Sequence, residues 1–179
     1  GYSSARMIIT NGSGEMRKQF TSYGPFWFPV GEITGTTEYS RAYISLNSGT
    51  ITPPAYIAIK VTDDKHPYNG SLSEYLSRYW TISSSGITSP NLTLYYYYTD
   101  ADVVGTEASI YGAKYLGSAR TLYSPLFNTT SNYNYIIGLT SLGDFTGVDG
   151  TIPTVLLSTT APNPTNTVIP VTVTFSERV

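Results

Sequence analysis

The chain has 179 residues, of which only 12% are charged, and its formal net charge is −2 at pH 7. A chain with so small a net charge lacks the clustered Lys and Arg that release counterions from phosphate backbones. This argues against nucleic-acid binding. No apolar run approaches the roughly 20 residues that a membrane-spanning helix needs. Cysteine is absent, so neither disulfides nor thiolate metal sites stabilise the fold. The polar residues are mostly Gly, Ser, Thr, Asn and Tyr, a composition typical of secreted and surface proteins.

Short segments of alternating polar and apolar residues dominate the first 150 positions and predict β-strands. Residues 6–10 and 15–20 flank an Asn-Gly-Ser-Gly sequence and predict a hairpin. Residues 39–46 and 55–61 predict two strands that pair across the loop between them. Further short strands are predicted at residues 25–30, 80–83, 92–99, 108–115, 120–123 and 133–139. This spacing predicts an all-β fold, an antiparallel β-sandwich of the Ig-like or jelly-roll-like kind.

One short helix is compatible with the pattern, at residues 71–78. Ser71 and Glu74 have the spacing of a capping box, in which each side chain accepts a backbone N–H at the start of a helix. Apolar residues recur on one side of this segment at Leu72, Tyr75, Leu76 and Tyr79. The predicted fold therefore contains at most one short helix, together with an extended C-terminal strand.

Tyrosine is unusually abundant, with 17 residues, more than a core can bury with every hydroxyl satisfied. Tyr95, Tyr96, Tyr97 and Tyr98 are consecutive, and alternation along a strand places one pair in the core and the other pair outside. Whichever pair of the four lies outside is therefore a candidate for an exposed aromatic contact surface. The alternative is a cross-strand aromatic ladder that only stabilises the sheet.

Residues that could carry catalysis are sparse. His66 is the sole histidine, stands between a Lys and a Pro, and is predicted to be a structural turn residue. Ser13 lies between two glycines, but a nucleophile elbow needs a helix after it and a strand is predicted there. No phosphate-binding loop of the form GxxxxGK occurs. The sequence therefore predicts a protein without enzymatic activity.

Three acidic residues could bind a metal. Asp100, Asp102 and Glu107 follow a predicted strand, and their carboxylates could surround Ca²⁺ with backbone carbonyls completing the shell. Their spacing is not that of an EF-hand, and acids at such positions more often cap turns through their own backbone. No other cofactor is predicted.

The sequence pattern of the chain changes after about residue 150. Residues 1–150 form the predicted sandwich domain, residues 151–167 an apolar segment and a Pro-containing linker, and residues 168–179 a final strand. The apolar face of that strand consists of Ile169, Val171, Val173 and Phe175.

A single amphipathic strand cannot bury its own face, so it must join a sheet. Three acceptors for this strand are possible: the edge of its own domain, a following domain of which it is the first strand, or a groove in another copy. The last arrangement makes these residues a subunit interface and the chain a homo-oligomer or head-to-tail polymer.

Several motifs along residues 5–148 resemble a β-sandwich domain of large secreted surface proteins of the Bacteroidetes and Chlorobi group, which are associated with type IX secretion. The resemblance rests on residues 7–14, 26–31, 64–67, 78–80, 98–103, 105–107 and 144–147, in the same order. Residues 161–166 and 174–177 look like the start of a bacterial Ig-like repeat. The resemblance implies a structural or adhesive module with no known enzymatic role.

These observations predict a non-catalytic extracellular protein at the bacterial cell surface. The leading hypothesis is a structural or adhesive building block of a surface filament or surface layer, assembled by strand addition between copies. One alternative is a single module of a long multidomain adhesin. Another is a carbohydrate-binding module that stacks a surface glycan on exposed Tyr, Trp27 or Trp80, although the alternation places Trp80 in the core.

Overall fold

A computed structural model describes residues 1–10, 12–126, 128–150, 155–158 and 171–175. The protein is all-β and its sheets are antiparallel apart from one parallel pair, so the predicted β-sandwich class is confirmed. The strands are β1 (Ile8–Ile9), β2 (Met16–Gln19), β3 (Gly24–Phe28), β4 (Val30–Glu32), β5 (Glu38–Tyr39), β6 (Ala42–Thr62), β7 (Tyr75–Leu76), β8 (Tyr79–Tyr97), β9 (Val103–Val104), β10 (Ile110–Leu116), β11 (Ala119–Pro125), β12 (Tyr133–Leu139), β13 (Asp144–Asp149), β14 (Val155–Ser158) and β15 (Thr172–Phe175). Two 3-10 helices lie at Asp100–Asp102 and Glu107–Ser109.

The centre of the fold is a ribbon of two long antiparallel strands, β6 with 21 residues and β8 with 19. The ribbon folds back on itself. Trp80 and Tyr96 both belong to β8, and 16 residues of straight strand would separate them by ~53 Å. Their ring centroids are nevertheless 4.9 Å apart. The two ends of the ribbon therefore face each other across the core.

The middle of the ribbon provides the bend. Its register shifts three times between Leu46 and Tyr56. Gly86 has a φ of +68°, and a Cβ there would collide with the backbone carbonyls of Thr52 and Pro54. A residue without a side chain is thus required at this close approach of the two strands. The predicted pairing of residues 39–46 with 55–61 is wrong, because residues 42–46 and 55–61 both belong to β6 and pair with β8, while Tyr39 belongs to β5.

Further strands pair with each end of the ribbon, so that each end forms part of a larger sheet. One sheet contains β3, the first part of β6, the last part of β8 and β12. The other contains β2, the last part of β6, the first part of β8, β13, β10 and β11. The inward residues of both sheets form one buried cluster, and its largest fully buried members are Trp80, Tyr96, Phe28 and Phe145. Burying these rings supplies the main driving force for folding.

Two local predictions are wrong. Residues 6–10 and 15–20 form no hairpin: β1 pairs in parallel with β4, and β2 pairs with β6. Residues 71–78 form no helix, because the Ser71 hydroxyl accepts the N–H of Asp149 and Leu72 is 72% exposed. The segment instead contributes the short strand β7, which pairs with β9. Long-range pairing overrides local capping and turn signals in both places.

Candidate functional site

One side of the first sheet carries a continuous surface of aromatic rings, which we call the aromatic face. Its central row crosses all four strands in register, and a second row lies beside it. The central row consists of Trp27, Tyr43, Tyr95 and Tyr135, and the second row consists of Arg41, Tyr97 and Tyr133. Four strands at the usual spacing make the central row ~14 Å long.

The rings of the aromatic face contact one another throughout. In the central row the centroids of Trp27 and Tyr43 are 5.0 Å apart, those of Tyr43 and Tyr95 are 5.5 Å apart, and those of Tyr95 and Tyr135 are 5.4 Å apart. The second row joins the first, since Tyr97 lies 5.9 Å from Trp27. These separations are typical of favourable aromatic pairs, which hold each ring in place.

Alternation along the strands explains why the rings point outward. The even-numbered neighbours Ala42, Ile44, Leu94 and Tyr96 are fully buried or nearly so. Odd-numbered positions in these parts of β6 and β8 must therefore face away from the core. Trp27 is 45% exposed, and the tyrosines of the face are half-buried by one another.

The structure divides the run of four tyrosines that the sequence singled out. Tyr95 and Tyr97 belong to the aromatic face, whereas Tyr96 and Tyr98 are only 0% and 4% exposed. The outer pair is therefore Tyr95 and Tyr97, and the other two candidates, Tyr96 and Tyr98, are not surface contacts because their side chains are buried in the core. With Trp27 and Tyr43, Tyr95 and Tyr97 line a shallow depression of about 160 Å³.

Arg41 lies at one end of the aromatic face. Its guanidinium carbon is 4.3 Å from the centroid of Tyr97, 4.9 Å from that of Trp27 and 5.9 Å from that of Tyr39. Burial raises the pKa of the Tyr97 hydroxyl, and the nearby guanidinium offsets only part of that rise. Tyr97 therefore stays protonated and able to donate a hydrogen bond at neutral pH.

The opposite end of the face is polar and uncharged. The Ser45 hydroxyl donates to Oδ1 of Asn47 at 2.9 Å, and Nδ2 of Asn47 donates to Oγ1 of Thr93 at 3.0 Å. The same amide lies 3.4 Å from Oδ1 of Asn91. From Arg41, just before β6, to Asn47 the face extends over six residue steps, or ~20 Å.

A second unusual site lies inside the protein, where one arginine is surrounded by four carboxylates. We call it the Arg78 cluster. Arg78 is fully buried; its Nε lies 2.8 Å from Oδ1 of Asp102, and its Nη2 lies 3.2 Å from Asp63 and 3.4 Å from Glu32. The same Nη2 also contacts Glu38. The cluster connects the β4–β5 pair, the end of β6, the start of β8 and the first 3-10 helix.

The Arg78 cluster has more negative than positive charge. Burial raises the pKa of Asp63, and the neighbouring carboxylates of Glu32 and Asp102 raise it further. One oxygen each of Glu32, Glu38 and Asp63 lie within 4.8 Å of one another, a spacing that a cation could bridge. Here Nη2 of Arg78 contacts all three, so the geometry is that of a buried ion-pair network.

The three acids that the sequence proposed for Ca²⁺ face three different partners. Asp102 pairs with Arg78 and accepts the N–H of Thr99 at 2.7 Å. Asp100 accepts from the side-chain amide of Asn132 at 2.6 Å, and Glu107 accepts from the hydroxyl of Tyr98 at 2.8 Å. Asp102 thus takes the turn-capping role that was the alternative to metal binding.

His66 is buried among aromatic rings. Its ring stacks on Tyr115 at 4.2 Å, meets Tyr79 edge-on at 5.0 Å, and its Nε2 lies 3.1 Å from Oδ2 of Asp144. Burial alone would raise the pKa of Asp144, but hydrogen bonds from His66 and Thr81 outweigh it and hold the pKa below its ordinary value. These contacts join residue 66 to β10 and β13, an architectural role.

The predicted C-terminal strand pairs with a segment that the sequence treated only as apolar. β15 is antiparallel to β14, and Leu157 stands opposite Val173. The side chains of Leu157, Val171 and Val173 are 65%, 57% and 50% exposed. Ile169 lies outside the described residues, and for Phe175 only the backbone pairing with Val155 is described.

The comparisons with protein-family models, with curated proteins and with solved structures find no match to this chain. Within the described residues, no helix has the length and apolar character needed to cross a bilayer.

Sequence reasoning missed the central members of both sites. Tyr43 and Arg41 could have been found, because residues 41–47 alternate polar or aromatic with Ala, Ile and Leu. Nothing in the local sequence marks Glu32 and Arg78 as partners, since 46 residues separate them. Their meeting is a consequence of tertiary structure alone.

Proposed function

We propose that this chain is a non-catalytic, extracellular adhesive module of a bacterial surface protein, and that it binds carbohydrate on the aromatic face. The single observation that carries the proposal is the unbroken row of four outward rings across four strands. Large exposed apolar surfaces on soluble proteins usually mark interaction sites.

Carbohydrate is the class of ligand that this surface fits best. A pyranose ring has an apolar C–H face, which packs on an aromatic ring, and a rim of hydroxyls, which needs donors and acceptors. The aromatic face supplies rings in its middle and the amide and hydroxyl groups of Asn47, Asn91 and Thr93 at one end. The rings are fixed by mutual contacts, so little conformational entropy is lost on binding.

The composition supports an extracellular location, since Gly, Ser, Thr, Asn and Tyr prevail and cysteine is absent. The resemblance to secreted surface proteins supports the same location. A role as one module within a larger adhesin agrees with the proposal as well, because a binding face on one sheet leaves both ends of the sandwich available for connections.

The test is a binding measurement on a panel of neutral and acidic oligosaccharides, with Trp27→Ala and Tyr95→Ala as variants. Each variant should weaken binding by at least about tenfold, as expected for a central aromatic contact. Tyr68→Ala is the matched control: Tyr68 is 57% exposed but lies beside His66, outside the face. If no sugar binds, or if Trp27→Ala binds normally, the proposal is wrong.

A second candidate function, assembly of a surface filament or layer by strand addition between copies, is favoured by the β14–β15 pair. Leu157 and Val173 form an exposed apolar cross-strand pair, and Val171 lies on the same side as Val173. In this arrangement the partner copy would receive the free edge of the paired strands and cover their apolar side.

Removal of the apolar side chains tests this assembly. The double variant Val171→Ser/Val173→Ser should remain monomeric under conditions in which the native chain forms oligomers. Thr172→Ser/Thr174→Ser, which changes the alternate positions of the same strand, should assemble normally. Light scattering and electron microscopy distinguish the outcomes, and unimpaired assembly of the valine variant would rule out this interface.

A further inference from the structure

Arg41 differs from Arg17 and Arg78 in its surroundings. Arg78 is surrounded by carboxylates, and Arg17 pairs with Glu15 at 2.6 Å. Among the described residues, no carboxylate lies within ion-pair distance of Arg41, whose neighbours are the rings of Trp27, Tyr39 and Tyr97. Within the part of the chain that the structure describes, this guanidinium is therefore stacked on aromatic rings rather than paired with a carboxylate.

The position of Arg41 relates this charge to the proposed ligand. It belongs to the second row of the aromatic face, directly beside Tyr97 in the register of β6 and β8. A chain lying along the face from Asn47 would pass over the central row and reach Arg41. One end of the ligand therefore meets amides and hydroxyls, and the other end meets a fixed cation.

A guanidinium is suited to one type of group in particular. Its planar fork of N–H donors matches the two oxygens of a carboxylate, and such charge-assisted pairs are stronger than neutral hydrogen bonds. The ring contacts orient the Arg41 side chain, so the fork is held in place before a ligand arrives.

We infer that the ligand of the aromatic face is an acidic polysaccharide whose sugar units carry carboxylate groups, and that Arg41 binds one of those carboxylates. This inference rests on the proposed carbohydrate-binding function and adds the chemical class of the sugar. The aromatic rows supply contact area, and Arg41 distinguishes uronic acids from neutral sugars.

The experiment compares matched ligands on the unmodified chain. Hexasaccharides of galacturonate, glucuronate and mannuronate are titrated calorimetrically beside their methyl esters, which keep the ring and lose the charge. At least one acid form should bind about tenfold more tightly than its ester. A sulfated neutral hexasaccharide is the further arm, and binding to it equal to the best uronate would overturn the assignment to carboxylate.

The variants locate the effect at Arg41. Arg41→Gln should lower affinity for the acid form about tenfold and leave the ester unchanged, and Arg41→Lys should fall between, since it keeps the charge without the fork. Arg17→Gln is the matched control, because Arg17 also lies over a tyrosine, at 4.7 Å from the ring of Tyr56, but on β2. Thermal unfolding of each variant establishes that it is folded.

The outcomes separate this inference from the function on which it rests. If esters and neutral sugars bind as tightly as the acids and depend on Trp27, the proposed function stands and the inference fails. If Arg41→Gln retains the acid preference, the inference also fails. If none of the oligosaccharides binds, both fail.

Discussion

The aromatic face and the Arg78 cluster both reverse the usual positions of apolar and charged side chains. Large rings, which proteins usually bury, lie at the surface on β3, β6, β8 and β12, while five charged side chains meet inside. Both regions adjoin the same two long strands, β6 and β8. Tyr95 and Tyr97 occupy the last part of β8, and Arg78 directly precedes its first residue.

The difference separates what stabilises the fold from what is available to a partner. Buried charges cost desolvation energy and persist only when each is paired, so the Arg78 cluster serves to connect distant segments. Exposed rings add little to the fold beyond their mutual contacts, and their area remains free for a ligand. Substitutions in the Arg78 cluster should therefore lower stability more than ligand binding. Substitutions in the aromatic face should lower ligand binding more than stability.

The largest expected effect on stability comes from Arg78→Met. The substitution keeps an aliphatic side chain but leaves the carboxylates of Glu32, Glu38, Asp63 and Asp102 without their shared cation. Removing one partner of a buried ion pair costs about 3–5 kcal/mol of unfolding free energy. Urea denaturation measures this loss, and Arg17→Met, at an exposed pair, should leave the curve unchanged. An Arg78→Met protein of native stability would contradict the role given to the cluster.

Two adjacent tyrosines provide a sharper contrast. The Tyr96 hydroxyl donates to the carbonyl of Thr146 at 3.0 Å and accepts from Asn134 at 2.8 Å in the core. Tyr96→Phe leaves both groups unpaired and should lower the unfolding free energy by about 1–3 kcal/mol without altering sugar affinity. Tyr95→Phe, on the aromatic face, should leave stability unchanged. Equal stability of the two variants would mean that the two faces of β8 are assigned incorrectly.

The Arg78 cluster contains four carboxylates and one guanidinium, so removing the charge of Asp63 by Asp63→Asn should not destabilise the protein at neutral pH. Because the pKa of Asp63 is raised, the folded state binds its proton more tightly than the unfolded chain does. The contribution of this group to stability is therefore greatest at low pH and falls as pH rises through the raised value. Asp63→Asn should be at least as stable as the native chain at pH 7. A marked fall in its melting temperature would show that the fourth carboxylate is required.

Asp144 should have the opposite pH dependence, with a smaller effect because its side chain is 30% exposed. Its pKa is lowered, so its stabilising contribution is present above the ordinary carboxyl pKa and is lost as pH falls through the lowered value. Asp144→Asn should flatten the acid limb of the stability profile and leave Asp63 titrating as before. Thermal unfolding between pH 2 and pH 6, a range chosen to cover ordinary carboxyl pKa values of ~4, measures both. An acid limb identical to that of the native chain would refute the contribution of Asp144.

The sequence predicted the fold class but not the central ribbon. Gly49, Pro53 and Pro54 interrupt β6 with turn residues, which separated one strand into two in the prediction. In the structure β8 stays paired on both sides of them and absorbs them as register shifts. The local signal for a turn therefore corresponds to a bend. Only the pairing with β8 shows that the residues on both sides of it belong to one strand.

Alternation along the chain determined, without any structure, that the protein is all-β and that one tyrosine pair of residues 95–98 lies outside the core. That follows because successive side chains in a strand point to opposite sides. Only tertiary structure decided which strands are neighbours. It aligned Trp27, Tyr43, Tyr95 and Tyr135 into one row and placed four carboxylates around Arg78, since contacts between residues far apart in sequence depend on the register of whole sheets rather than on any local pattern.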